Sequence, residues 1–236
     1  MQEIKIKRGR GERGNSIVEF ALVSVFLVPV LIGTFVVGMS LNREMSISTL
    51  VRDLGAMIAT EQLDFAQAGN QALVVRLAGG LGLDNSNNNN GYGGGDTGNG
   101  QVVLSYVLRV GTRECNTLPP ASALLCNNEI GASGQNARYV FTRRIVIGNR
   151  NLQGSFFGAP SCAQNVDGTI TAANYLTIPL SGNCAAANAT TFASVLALNP
   201  SENTYVVEAN FNAPELDGVS PLGFAVPSHF YVRNLF

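Results

Sequence analysis

Charge is scarce in this chain: 13% of its 236 residues are Asp, Glu, Lys or Arg, and the net charge is −1. That balance excludes capture of nucleic acid by a long-range field, and no basic groove can be built from it. Histidine occurs once, at His229, with no motif around it, so a Ser-His-Asp arrangement lacks a credible base. Among the four cysteines there is no C-x-x-C pair, which removes the usual zinc ligand sets. The tract Asp84–Gly100 (DNSNNNNGYGGGDTGNG) is glycine-rich but has no lysine, so it is not a phosphate loop. Its two acids, Asp84 and Asp96, do not recur as a calcium repeat requires. Nothing in the sequence calls for a metal or a cofactor. Glu202, Glu208, Glu215 and Asp217 lie near one another in the chain and read as solvated edge charges, and His229 as an ordinary strand residue.

Against that sparse background one feature dominates. From Ile17 to Leu41 the chain is almost wholly apolar, and Phe20–Leu41 is a run of 22 residues without a charge. As a helix that run spans roughly 33 Å, at about 1.5 Å per residue, close to the ~30 Å of a bilayer core. Before it stand Lys5, Lys7, Arg8, Arg10 and Arg13 against Glu3 and Glu12. A positive flank stays cytoplasmic, which would send everything after Leu41 across the membrane. The run is too long for a secretory leader, and no A-x-A site follows it. Glu19 is the only acid at its head, and a charge in such a segment is a functional candidate whose natural partner is an amine.

The string Arg10-Gly-Glu-Arg-Gly-Asn-Ser-Ile-Val-Glu-Phe-Ala-Leu-Val resembles the TadE-like pseudopilins of the tight-adherence (Flp) pilus system, within the type IV prepilin class. Those proteins typically read R-x-x-R-G-x-x-x-V-E-F-A-L, often with a proline some turns later, as at Pro29 here. The resemblance covers about forty residues, with a weaker echo at Tyr205–Phe211. It implies cleavage by a prepilin peptidase between Gly14 and Asn15, which makes Glu19 the fifth residue of the mature chain and Phe20 the aromatic after it. It implies no enzymatic activity, an inner-membrane stage before assembly, and other pilin subunits as partners in an extracellular filament. The physics agrees with the motif. Gly14 leaves its peptide bond accessible, because glycine disfavours helix. The new amine of Asn15 would be a cation at a helix N-terminus, an unfavourable place unless a carboxylate such as Glu19 neutralises it.

The sequence divides into a basic leader (1–14), a transmembrane or assembly helix (15–42), an amphipathic helical extension (43–83), a Gly/Asn-rich loop (84–100) and an exported β-rich domain (101–236). In the extension Met45, Ile47, Leu50, Val51, Leu54, Met57 and Ile58 recur at helical spacing, with Arg52 on the opposite side. The pattern lapses near Glu61, resumes over Phe65–Ala78 and stops at Gly79-Gly80. Four runs then alternate with period two: Gln101–Gly111, Arg138–Gly148, Thr204–Phe211 and Ser228–Phe236. In the first, Val102, Leu104, Tyr106, Leu108 and Val110 are the set expected to face the core. A short helix is expected within Ala185–Leu198, ended by Asn199-Pro200. The fold class expected is α+β: a long N-terminal helix on a small antiparallel sheet, pilin-like, with long disulfide-bonded loops.

Cys115, Cys126, Cys162 and Cys184 all follow the membrane segment, where an oxidising exterior favours two disulfides. Of three connectivities, Cys115–Cys126 with Cys162–Cys184 is favoured, because each pair brackets one irregular insertion. Functionally, three readings stand: a processed structural subunit, an unprocessed single-pass protein presenting an extracellular binding or adhesive domain, and a tethered exported enzyme.

Overall fold

The computed structural model describes residues 15–60, 63–84, 86, 93–131, 138–152, 154–180, 184–185, 193, 195–217 and 227–236. Its elements in chain order are α1 (Asn15–Ala59), α2 (Ala68–Leu77), β1 (Gly93–Gly95), β2 (Gly100–Arg109), α3 (Thr112–Cys115), α4 (Pro120–Ile130), β3 (Tyr139–Asn149), α5 (Ala172–Tyr175), β4 (Asn203–Asn212), α6 (Pro214–Asp217) and β5 (His229–Leu235). The chain divides into two compact units. One comprises 1–42 with 214–228, and the other 43–213 with 229–236.

The 43–83 extension comprises the later part of α1 and, after the lapse in the pattern, α2. α1 ends at Ala59, where the Thr60 hydroxyl donates to the carbonyl of Ala56 (2.8 Å). α2 follows after a turn at Asp64, and Gly80 then takes a left-handed φ of 81°, which glycine adopts without a steric penalty. In the larger unit the stripe of α1 that is buried is Ile47, Leu50, Val51, Leu54 and Ile58, with Met57 half-buried and Arg52 exposed. Met45, which recurs at the same helical spacing, is exposed.

The four alternating runs form the four antiparallel strands β2–β5, in spatial order β3-β2-β4-β5. Valine, isoleucine, tyrosine and phenylalanine dominate them, side chains that suit a pleated and packed surface. One correction lies within the tract read as a loop: Gly93–Gly95 forms β1, pairing in parallel with β3 at Val146 and Asn149. Backbone pairing needs no side chain, so a polar glycine tract could supply a strand that hydrophobic patterning does not register. A second correction concerns the faces. Val102, Leu104, Leu108 and Val110 are buried as expected, while Tyr106 is half-exposed. The alternate set Val103, Ser105 and Val107 is buried too, so the central strand β2 is covered on both sides. The second cover comes from the long connections, through Phe157, Ile170, Cys184 and Leu198 packed with Val107, Phe141 and Val206. Of the helix expected within Ala185–Leu198, all but Ala185, Ala193 and 195–198 lies outside the described residues.

On the first face the C-terminal Phe236 meets α1. Tyr205 and Phe236 exchange backbone hydrogen bonds (3.1 and 3.0 Å), and the Thr204 hydroxyl donates to the Phe236 carbonyl (2.7 Å). The ring of Phe236 lies so close over Gly55 that a Cβ there would stand 1.8 Å from a ring carbon. Overpacking a core costs about 1–3 kcal/mol, more than the ~1 kcal/mol of helix propensity that alanine gains over glycine. Gly55→Ala is therefore expected to lower stability by up to about 2 kcal/mol, the difference of those two terms. In a Phe236→Ala background the same substitution should be neutral or stabilising. A double-mutant cycle by chemical denaturation in detergent reads both signs.

Candidate functional site

α1 carries every site residue expected near the N-terminus that the structure describes. Asn15 is its first residue, Glu19 follows one helical turn later, and Gly14 lies outside the described residues. At about 1.5 Å per residue, Glu19 sits some 6 Å along the axis from Asn15. Glu19 and Phe20 are both exposed. Beyond them the helix is long and apolar enough to cross a membrane. The helix pairs its backbone internally, as hydrocarbon demands, except at Pro29, which has no N–H to give. Ser24 and Thr34 return their hydroxyls to the carbonyls of Ala21 and Leu31 (2.9 Å each), so these polar atoms also need no water.

Most large side chains of this segment are exposed, Val36 being buried. Fifteen large apolar residues between Ile17 and Leu41 are exposed, Phe20 to 74%, Phe26 to 72% and Phe35 to 66%. Fully burying one such side chain contributes about 1.5–3 kcal/mol, so leaving this surface in water costs on the order of tens of kcal/mol. That magnitude exceeds the whole stability of a typical domain. Lipid, or the apolar helices of neighbouring molecules, must cover it.

In the larger unit the disulfides are Cys115–Cys126 and Cys162–Cys184. Among the described residues no group of three or more His, Cys, Asp or Glu could hold a metal ion. His229 opens β5, with its Nδ1 2.8 Å from Asn212 Oδ1. Glu202 is exposed and accepts the Asn199 N–H (2.6 Å), and Glu215 is exposed. The side chain of Asp217 lies outside the described residues.

Glu208 overturns the reading as a solvated edge charge, because it is fully buried. Its Oε1 accepts the Phe156 N–H (2.8 Å) and the Tyr231 hydroxyl (2.6 Å), and its Oε2 accepts the Ser155 hydroxyl. Burial lowers the pKa of Arg144 against the opposing pull of the Glu208 charge. Burial first, then the Glu208 charge and hydrogen bond, push the Tyr231 phenol well above the ordinary tyrosine range. Arg233, the cross-strand partner of Glu208, stacks over Phe156 at 4.2 Å from the ring centroid. The carboxylate thus fastens the 155–157 segment onto the sheet, and all its bonds serve structure. Sequence reasoning missed it because Glu208 shares its face with Val206 and Asn210, which looks like a half-polar outer face. The available signal was a charge of each sign, Arg144 and Glu208, inside otherwise apolar strands.

Comparison with models of protein families, with curated proteins and with solved structures returned no match to this chain.

Removing one partner from a buried, hydrogen-bonded charge cluster costs about 3–5 kcal/mol. Glu208→Ala is expected to lose stability of that order, and Glu208→Gln, which keeps an acceptor for the Phe156 N–H, less. Denaturation followed by circular dichroism in detergent checks both.

Proposed function

We propose that this protein is a structural, non-enzymatic pilin-like subunit. A prepilin peptidase cuts it after Gly14, it resides in the inner membrane by α1 with its N-terminus cytoplasmic, and it joins a surface filament or the complex that initiates one. The observation that carries this reading is the placement of Glu19: a lone acid five residues past the expected cut, heading 22 uncharged residues most of whose large apolar side chains are exposed. An apolar helix that merely anchored the chain would be satisfied by lipid and would gain nothing from an acid at its head. A helix that passes from lipid into a bundle of its own kind keeps its apolar cover in both states. The freed amine of Asn15 and the Glu19 carboxylate of a neighbouring subunit then pair where no water competes, which fixes the stagger between subunits. The antiparallel sheet on the later part of the chain is consistent with the general pilin plan of a helical spine and a β-rich head. Length favours a minor rather than a major subunit.

N-terminal sequencing of protein from cells that contain a prepilin peptidase is expected to begin at Asn15. A mature chain that retains Met1 and still reaches the surface would replace this reading with a plain membrane tether. Gly14→Val should block processing, visible as an unshifted band. Glu19→Ala should insert and be cut normally yet enter filaments poorly, read as the ratio of sheared surface protein to membrane protein.

A further inference from the structure

The connection between β3 and β4 encloses a cavity of about 400 Å³ that no function proposed above uses. This is within the range of small-molecule sites. Its walls are fixed from several directions. The Cys162–Cys184 disulfide closes one side, and Leu176 and Leu180 are sunk into the core beside it. Asn174 ties two lining segments together, donating from Nδ2 to the carbonyl of Ala163 (3.1 Å), and Leu180 N–H is held by the Glu129 carboxylate (2.8 Å). Thr177 is tied to the carbonyl of Ala173 (2.8 Å) and retains acceptor capacity on its hydroxyl oxygen. The cavity is therefore pre-organised, and a ligand would meet little ordering cost.

The chemistry of the lining is specific. Half-buried Tyr175, with buried Leu180 and exposed Pro179, offers an aromatic and aliphatic wall, while Asn174, Thr177 and Ser161 offer amide and hydroxyl groups. Among the described residues no Asp, Glu, Lys, Arg or His lines it. Burial, aided by the negative charge of Glu114, keeps the Tyr175 phenol protonated beyond the ordinary range, so the lining is neutral at any physiological pH. A phosphate or carboxylate ligand would find no cation, and the Glu114 and Glu129 charges behind the wall oppose it. An ammonium would find no acid in contact. What fits is a molecule with one apolar face and a hydroxylated edge.

From this geometry we infer that the cavity is a binding site for a neutral saccharide unit, a pyranose seated with its apolar face on Tyr175 and its hydroxyls toward Asn174 and Thr177. The inference stands on the exported domain alone and holds whether or not the chain is cut after Gly14.

The test uses the purified full chain in a sugar-free zwitterionic detergent. Methyl glycosides of glucose, galactose, mannose and N-acetylglucosamine serve as probes in saturation-transfer NMR, with glucuronate and sialic acid as charged controls. The expected result is saturable transfer to at least one neutral glycoside, and at least tenfold weaker binding in Tyr175→Ala with both disulfides intact by mass. Tyr175→Phe keeps the platform and should retain binding. If Tyr175→Ala does not fold, Thr177→Val supplies the loss variant. No saturable transfer from any neutral probe, equal response to the charged controls, or undiminished binding in a folded loss variant would overturn the assignment.

Discussion

The architecture depends on a surface that water cannot cover. Along Phe20–Leu41 the helix has no charge to solvate and presents most of its large side chains outward. An apolar medium is thus a requirement of the fold and not an accessory to it. Two media meet that requirement, hydrocarbon and another helix of the same kind, and they are nearly isoenergetic to leucine and phenylalanine. In lipid there is no hydrophobic force bringing helices together, so packing and polar contacts decide association. Glu19 is the acid at the head of this uncharged run, where a polar contact has most leverage.

The larger unit solves a different problem. Its sheet must be buried on both faces although one face is not apolar: Gln101, Ser105, Glu208 and Asn210 all sit there, nearly without exposure. Burying polar groups without partners costs several kcal/mol each, so the covering segments have to bring hydrogen bonds with them. Ser155 and Phe156 do so at Glu208, and Asn210 reaches Gln101. The outer edge of β3 is closed in the same manner. Gly93–Gly95, Gly168–Ile170 and Cys184–Ala185 each pair with part of it. A closed edge cannot template another strand, so copies of this chain cannot continue the sheet head to tail through β3.

What could be read in advance was whatever depends on local pattern. The membrane-length run, the helical stripe Leu50-Leu54-Ile58 and all four long strands follow from spacing that the backbone imposes on its neighbours. The illegible parts depend on what comes from elsewhere in the chain. The burial of Glu208 depends on a segment some fifty residues earlier. β1 pairs through bare backbone, which leaves no mark in hydrophobicity. The emptiness of Gly55 exists for a ring 181 positions away, at the other end of the chain. The saccharide-sized cavity is the same case, since its lining is gathered from loops whose mutual approach a disulfide and Asn174 determine together.

The cations show how topology and packing are kept apart. Both lysines of the chain, Lys5 and Lys7, lie in the basic leader, and every later cation is an arginine. In the larger unit several of those arginines serve as internal fasteners: Arg143 pairs with Asp64 and donates to the Asp167 carbonyl (3.1 Å), and Arg233 covers Phe156. Arginine suits such half-buried work because its planar guanidinium stacks and forks, whereas an ammonium holds its water. On the proposed reading, the solvated cations that set orientation are then confined to a segment removed after insertion. Orientation is decided before the cut, and the cut removes five side-chain cations and leaves a new terminal amine one turn from Glu19.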